Sequence, residues 1–331
     1  MYPEVPETEL ARLREAHEII KKIDFEIAPI ERGYAGRTLR IDLDTNEITT
    51  HPVTQQMKDL WTGGKGFDLW LMLQEIDKDT KWDSPENPLC FSSGPLAGTA
   101  AFPGSGKSLV TTISPLTSIV IDSNVGGYFG PYFKFAGFDG LVIVGKAKQE
   151  TLIVIDAAEQ TISIETCPEE SADSHKLAEE LTAMYAADEL DKRNVGVVSA
   201  GSGADHTRMG VLNFSFYDWR RGVARLKQAG RGGVGTVFRE KKLKGLVVRN
   251  RDLTPQWKVA ESKVSHLIRP KKQSPCCSDA QKQEIRDIIE KWESDREYVI
   301  EMLQDVQDRF RHIPPMALEE LARHTGAPPA Q

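Results

Sequence analysis

Two glycine turns carry the chemistry most open to inspection, Asn124-Val125-Gly126-Gly127-Tyr128 and Ala229-Gly230-Arg231-Gly232-Gly233. Glycine adopts positive φ without steric penalty, so successive backbone N–H groups can converge on one anion. From Arg220 to Arg251 the chain has eleven Lys or Arg against a single acid, Glu240, although its net charge is −7. Cations gathered around a glycine turn on an acidic chain suit a small anion such as phosphate. The other reading is a solvated basic face that meets a partner.

Other candidate motifs fail on spacing or context. Ala101 to Ser108 satisfies a loosened phosphate-loop pattern, but Lys107-Ser108 leads into Leu109-Val110-Thr111-Thr112-Ile113 and then Ser114-Pro115. That β-branched run predicts a strand, whereas a phosphate loop must open a helix. Lys107 can still point into a cleft as it leaves Gly106. The four cysteines, Cys90, Cys167, Cys276 and Cys277, form no C-x-x-C pair and are too few for a disulfide scaffold. His51, His206 and His312 stand alone, and no general acid or base is assigned.

The elements that position these turns repeat. Each half opens on a strand, Thr38–Leu43 then Thr151–Asp156, and passes through helix to an apolar strand and a small-residue loop, Ser92–Pro95 then Ser199–Gly203. Each then reaches its glycine turn and closes on Gly140–Val144 or Gly245–Val248, at an offset of about 105–113 residues. Such halves place their turns about an approximate two-fold axis, which suits a two-fold ligand or two copies of one ligand. A duplication that serves only the fold explains the pattern equally well. A hairpin over Arg37–Val53 turns at Asp44-Thr45-Asn46. Gln55–Ile76 is helical with a break at Gly63–Gly66, and a helix covers Ser174–Tyr185.

Residues 1–32 read as an N-terminal helical extension, one amphipathic helix over 7–27 with Leu10, Leu13, Ile20 and Ile23 at near-helical spacing. Residues 33–252 form the main domain, divided into 33–148 and 149–252. Residues 253–280, with Pro255, Pro270 and Pro275, read as a linker. Residues 281–331 form a helical segment that looks truncated, with too few apolar residues for a strong core of its own.

Composition limits the function classes. At 40% hydrophobic and 27% charged the chain is an ordinary globular protein. Its acidity argues against nucleic-acid binding, and no apolar run is long enough to span a bilayer. The first thirty residues lack the apolar core of a secretory signal, and the few cysteines fit a reducing cytoplasm.

In order along the chain, several motifs resemble the N-terminal domain of the tungsten-containing aldehyde:ferredoxin oxidoreductase family. They are Gly36–Leu43, Ser84–Leu89, Ser93–Thr99, Ser114–Thr117, Gly126–Gly130, Lys134–Asp139 and Ala229–Gly235, within residues 33–250. The resemblance implies an α+β fold of two related β-sheets about a pseudo-two-fold axis, with peripheral helices and here a small C-terminal helical appendage. It implies a base on which a tungsten or molybdenum bis-molybdopterin cofactor lies, one pterin per half. Lys107 then replaces a family arginine that lies beside a pterin. Asn124, Gly126 and Gly127 match the loop that helps to hold the pterin phosphates and a bridging Mg²⁺. Lys227, Gly230, Arg231, Gly232 and Gly233 belong to the second such loop, with Lys227-Gln228 in place of a family Arg-Ala.

The departures bear on activity. The family's 4Fe–4S cluster uses a C-x-x-C-x-x-x-C run and a distant fourth cysteine, all beyond this domain, and the chain has no such run. Its acid–base residues also belong to later domains. The chain would therefore be incomplete alone, needing C-terminal oxidoreductase domains or a separate subunit that supplies them. The expected reaction is oxidation of an aldehyde, with electrons passing through iron–sulfur partners to ferredoxin or NAD; reduction of an aromatic thioester is an alternative within the class. The tail, especially Met302–Gln307, Phe310, Ile313–Pro315 and Ala317–Ala322, resembles the helical N-terminus of the 24-kDa subunit of NADH:quinone oxidoreductases, which implies a flavin- and NAD-binding partner. The competing reading is a scaffold or electron-transfer adaptor without its own metal.

Overall fold

Aliphatic residues alternating along short strands build two mixed β-sheets, each with one face toward a shared core. The computed structural model describes residues 5–99, 105–167, 173–218, 221–251, 278–295, 298–310 and 313–326. The chain begins with α1 (Glu7–Ala16) and β1 (Ile19–Asp24). The first half then runs β2 (Arg37–Asp42), β3 (Glu47–Pro52), α2 (Gln55–Trp61), α3 (Lys65–Leu73), β4 (Leu89–Ser92), β5 (Ser108–Ile113), β6 (Val120–Val125), α4 (Phe129–Phe135) and β7 (Gly140–Val144). The second runs β8 (Thr151–Asp156), β9 (Thr161–Thr166), α5 (Ser174–Tyr185), β10 (Val195–Ser199), β11 (Leu212–Asp218), β12 (Val223–Ala229), α6 (Val234–Glu240) and β13 (Leu243–Arg249).

The first sheet has the order β3-β2-β7-β4-β5-β6, and the second β1-β9-β8-β13-β10-β11-β12. Apart from β1, the two orders correspond strand for strand. The closing strand of each half, β7 or β13, lies parallel to the opening strand, β2 or β8. It lies antiparallel to β4 or β10. The duplicated sequence pattern is thus a duplicated topology.

Layering follows from the alternation. Leu141 and Ile143 of β7 face the main core, while Val142 and Val144 face Met72 of α3. In the second sheet Leu246 and Val248 face the same core, and Val247 meets Leu177 and Leu181 of α5. Between the sheets lie α4 and α6, which contribute Phe129, Tyr132, Phe133, Val234, Val237 and Phe238. Besides the expected peripheral helices, two short ones are therefore central, each following its glycine turn. Fully burying such an aromatic side chain contributes about 1.5–3 kcal/mol, which outweighs the weak intrinsic stability of a seven-residue helix.

The expected helix over 7–27 is corrected. The helix ends at Ala16, and Ile19–Asp24 pairs antiparallel with β9 as an edge strand. Leu10 and Leu13 pack against α5, but Ile20 is 39% exposed rather than part of a buried stripe. Sheet pairing satisfies backbone groups on a β-branched segment and overrides a loose helical period. Of the expected linker, residues 253–277 lie outside the described residues.

The described residues from Ser278 onward belong to a second compact unit. Its described part contains α7 (Asp279–Ile289), α8 (Val299–Phe310) and α9 (Pro315–Thr325). A capping box between Ser278 and Gln281 starts α7. Its small core is Ile285, Ile288, Ile289, Met302, Val306, Ala317 and Leu321, whereas Leu318 is 44% exposed.

Two buried carboxylates fix the first half. Asp139 accepts hydrogen bonds from the amides of Ala35 (3.1 Å) and Gly36 (2.8 Å) and pairs with the Lys134 ammonium. Lys134 also donates to the Gly33 carbonyl at 3.0 Å, and burial pulls its pKa down against the attraction of Asp139. Asp68, in the first turn of α3, accepts from Thr111 Oγ1 at 2.8 Å. Complete burial pushes the Asp68 carboxyl up to about 8, opposed by hydrogen bonds from Ser92 and Thr111.

Asp139→Ala is expected to cost about 3–5 kcal/mol in denaturant unfolding by stranding the Lys134 charge. The double variant with Lys134→Met should recover part of that loss. Asp68 binds its proton more tightly folded than unfolded, so its stabilising contribution is full below pH ~4 and is lost as pH rises toward ~8. Across that window the wild type should lose on the order of 1 kcal/mol per pH unit from this group, and Asp68→Asn should flatten the slope. Thermal melts of both proteins from pH 5 to 9 measure the difference.

Candidate functional site

The two sheets meet at their last strands, β6 and β12, and both glycine turns start from these strands. The first turn joins β6 to α4. Gly127 has φ +101°, a conformation that side-chain-bearing residues rarely adopt. Gly106 passes so close that a Cβ on it would lie 2.9 Å from the Gly127 carbonyl oxygen. The residues just ahead of β5 are thereby held against the turn, which places Lys107 beside it. Lys107 is exposed, and the next residue enters β5, so the strand expected in place of a phosphate-loop helix is present. Asn124, on β6 opposite Leu109 of β5, is also exposed.

The second turn joins β12 to α6 through a short 3-10 turn, Arg231–Gly233. Gly232 and Gly233 have φ +69° and +77°. A Cβ on Gly233 would lie 2.2 Å from the Arg208 carbonyl oxygen, and one on Gly232 would lie 2.7 Å from Ile121 of β6. Neither position admits a larger residue without moving backbone or a core strand. Gly230, just before this turn, is exposed.

The second turn is tied to the first half at three points. The Arg231 amide donates to Ser123 Oγ at 3.1 Å. Ser114 Oγ donates to the Gly232 carbonyl at 2.7 Å. The Arg231 guanidinium lies 3.8 Å from Asp122, which is paired with Lys65 at 2.7 Å. Consecutive residues of β6 thus hold both the backbone and the side chain of Arg231. In the other direction Lys227 of β12 stands over the first turn, its Cγ 3.9 Å and 3.8 Å from where Cβ atoms on Gly126 and Gly127 would be. Tyr128, 40% exposed, stacks obliquely on Phe216 of β11 with ring centroids 4.9 Å apart.

The structure therefore gathers Lys107, Asn124, Gly126, Gly127, Lys227, Gly230, Arg231, Gly232 and Gly233 along one seam between the halves. The arrangement is chemically asymmetric. The second half supplies Lys227 to the first turn and Arg231 to the strand leading into it. At the position equivalent to Lys107, ahead of β11, stands Val211. Arg231 is 70% exposed at its side chain, so its charge remains available to an anion despite Asp122. Sequence reading gave no site role to Ser114, although it lies in a matching motif, and passed over Ser123, Asp122 and Lys65, because nothing local marks a residue whose partner lies on the other half. The basic window is also divided. Lys227 and Arg231 lie at the seam, but Arg239, Lys241 and Lys242 lie at the far end of α6.

Comparison with known proteins agrees with this architecture. The family model for the aldehyde ferredoxin oxidoreductase N-terminal domain matches residues 38–250. A tungsten-containing aldehyde ferredoxin oxidoreductase of Pyrococcus horikoshii is 35% identical over 218 residues, 66% of this chain and 33% of the relative. The WOR-like subunit of an aliphatic sulfonate oxidoreductase of Pyrococcus furiosus is 30% identical over 128 residues, 37% of this chain and 20% of that subunit. Among solved structures, the active-site complex BamBC of benzoyl coenzyme A reductase, in complex with 1,5-dienoyl-CoA, superposes with a TM-score of 0.57 at 25% identity, over 66% of this chain and 31% of that one. The chain spans about a third of the length of the first of these relatives. With two sheets of matching topology and a family match over both, the chain belongs to the aldehyde ferredoxin oxidoreductase family and contains its N-terminal domain.

Proposed function

We propose that this chain forms the floor of a tungsten bis-molybdopterin site in an oxidoreductase that acts on aldehydes. One observation carries the reading: two glycine turns from different halves lie on one seam, each beside a cation from the second half. The residues fit a ligand with two phosphorylated ends. Gly127, Gly232 and Gly233 have positive φ, and Lys107, Lys227 and Arg231 are exposed next to them. Exposed amides and cations are the groups that hold phosphate. The Asn124 side chain and the turn carbonyls offer oxygen, the ligand type that Mg²⁺ takes.

When bound, the cofactor would supply oxygen-atom transfer and accept two electrons. The chain's own part is to hold and orient it. Lys227 and Lys107 would neutralise one phosphorylated end. Arg231, steadied by Ser123 and Asp122, would neutralise the other. Lys107 in place of the family arginine offers a point charge without a planar fork, so that contact is less directional. The described cysteines do not suit an iron–sulfur cluster. Cys90 is buried against α3 and Cys167 against α5, in separate cores. We assign the cluster, and the acid–base residues, to further domains or to another chain. That chain would pass electrons to ferredoxin or, through a flavin subunit docked by the C-terminal helices, to NAD.

The substitution at Lys107 and the unsuitable cysteines favour a metal-free adaptor as the second reading. Metal analysis of anaerobically purified protein, with whatever co-purifies, separates the two. About one tungsten per chain, with pterin fluorescence after oxidation, is expected for a cofactor-holding base. Absence of metal and pterin in the complex would support the adaptor. In the first case, the Lys227→Ala, Arg231→Ala double variant should lose most of its tungsten and keep the wild-type melting temperature, because both side chains are exposed. Ser123→Val should lower loading by a smaller factor.

A further inference from the structure

Behind the second glycine turn lies a cavity of about 540 Å³ that the proposed cofactor does not use. Its walls come from both halves. Trp82 and Lys146 belong to the first; Asp205, Arg208, Arg239 and Lys242 belong to the second. We propose that this cavity is a second ligand site, one that takes a planar ring bearing a phosphate, of the nucleoside monophosphate class.

The frame is rigid. Arg239 is bound to Asp205 at 2.9 Å and to Glu150 at 2.6 Å, with its side chain 8% exposed. Thr236 Oγ1 donates to the Thr207 carbonyl at 2.7 Å and accepts from the Gly210 amide at 3.0 Å, which fixes the loop that carries Arg208. A Cβ on Gly235 would lie 2.3 Å from the Val211 carbonyl oxygen, so this loop and α6 are in backbone contact. Trp82 is packed against the core on one side. A preformed cavity of this volume lies within the usual range for small-molecule sites.

The lining discriminates. The Arg208 guanidinium lies over the Trp82 ring, 5.9 Å from its centroid. This pair bridges the halves, and Trp82 holds the guanidinium by one face while the exposed outer face is left at the cavity to stack on a planar ring. The acids at the cavity are already engaged, Asp205 by Arg239 and Glu240 by Lys146. Among the described residues no carboxylate pairs with Arg208 or Lys242, and Lys242 Nζ donates only to the Lys148 carbonyl, at 2.7 Å. Two cations without a carboxylate partner, one of them presenting an open planar guanidinium face, favour a ligand that combines a ring with a phosphate over one that has either alone.

The loop couples this cavity to the seam. The carbonyl of Arg208 abuts Gly233, while the same residue lines the cavity. The site stands whether or not a cofactor binds at the seam.

Isothermal titration of the full chain with AMP, adenosine and inorganic phosphate tests the proposal. AMP should bind with a dissociation constant below about 1 mM, and adenosine and phosphate at least roughly tenfold more weakly. Arg208→Ala, Lys242→Gln and Trp82→Ala should each weaken AMP by roughly tenfold or more, while Trp82→Phe retains it. Arg208 and its neighbours are exposed, so thermal melts of Arg208→Ala should match the wild type. Three results would overturn the proposal: no AMP binding at millimolar concentration, phosphate binding as tightly as AMP, or loss of binding with Lys227→Ala instead of Arg208→Ala.

Discussion

Everything at the seam depends on how closely β6 approaches the second glycine turn. Gly232 and Gly233 leave no space for a Cβ against Ile121 and the Arg208 carbonyl, and the Arg231 amide reaches Ser123 only because of that approach. If the two end strands stood further apart, the turns would be two separate loops on two separate sheets. Close contact makes them one surface with shared cations. The same contact sets the asymmetry, because Lys227 reaches the first turn from a strand of the second half.

The sandwich supplies the rigidity that this approach needs. α4 and α6 are short, and each is clamped between two sheets at the point where its turn ends. Aromatic contacts tie this layer together: Phe129 stacks on Phe133 with ring centroids 5.8 Å apart and meets Phe214 of β11 edge to face at 5.3 Å. Movement of either turn would have to move the central layer of the core. Close-packed interiors resist such displacement, which is why glycine turns of this kind can present preorganised amides. Polar anchors add direction. Lys134 and Asp139 fix the end of α4, and Arg239 with Glu150 and Asp205 fixes the end of α6.

Much of this was legible in the chain. Strand and helix placement follows local pattern, as at Ser174–Tyr185 and in the split at Gly63–Gly66, where the glycines mark the boundary between α2 and α3. The repeat of strand, loop and glycine turn foretold matching topologies. The N-terminal segment was misread because Ile20 and Ile23 satisfy a helical period as well as a strand, and only pairing with β9 decides between them. The seam's ties were invisible for a related reason. Nothing in the sequence around Ser114, Ser123 and Asp122 shows this pairing, and they acquire roles from residues more than a hundred positions away. The basic window looked like one feature, yet the length of α6 separates it into two patches.

The central claim is that both turns serve one ligand. Amide hydrogen exchange tests it most directly, comparing protein from cells grown with and without tungstate. The account predicts that peptides covering Gly126–Tyr128 and Gly230–Gly233 gain protection together and to a similar extent in the tungsten-grown protein. Protection confined to one turn, or absent from both while tungsten is bound, would contradict it.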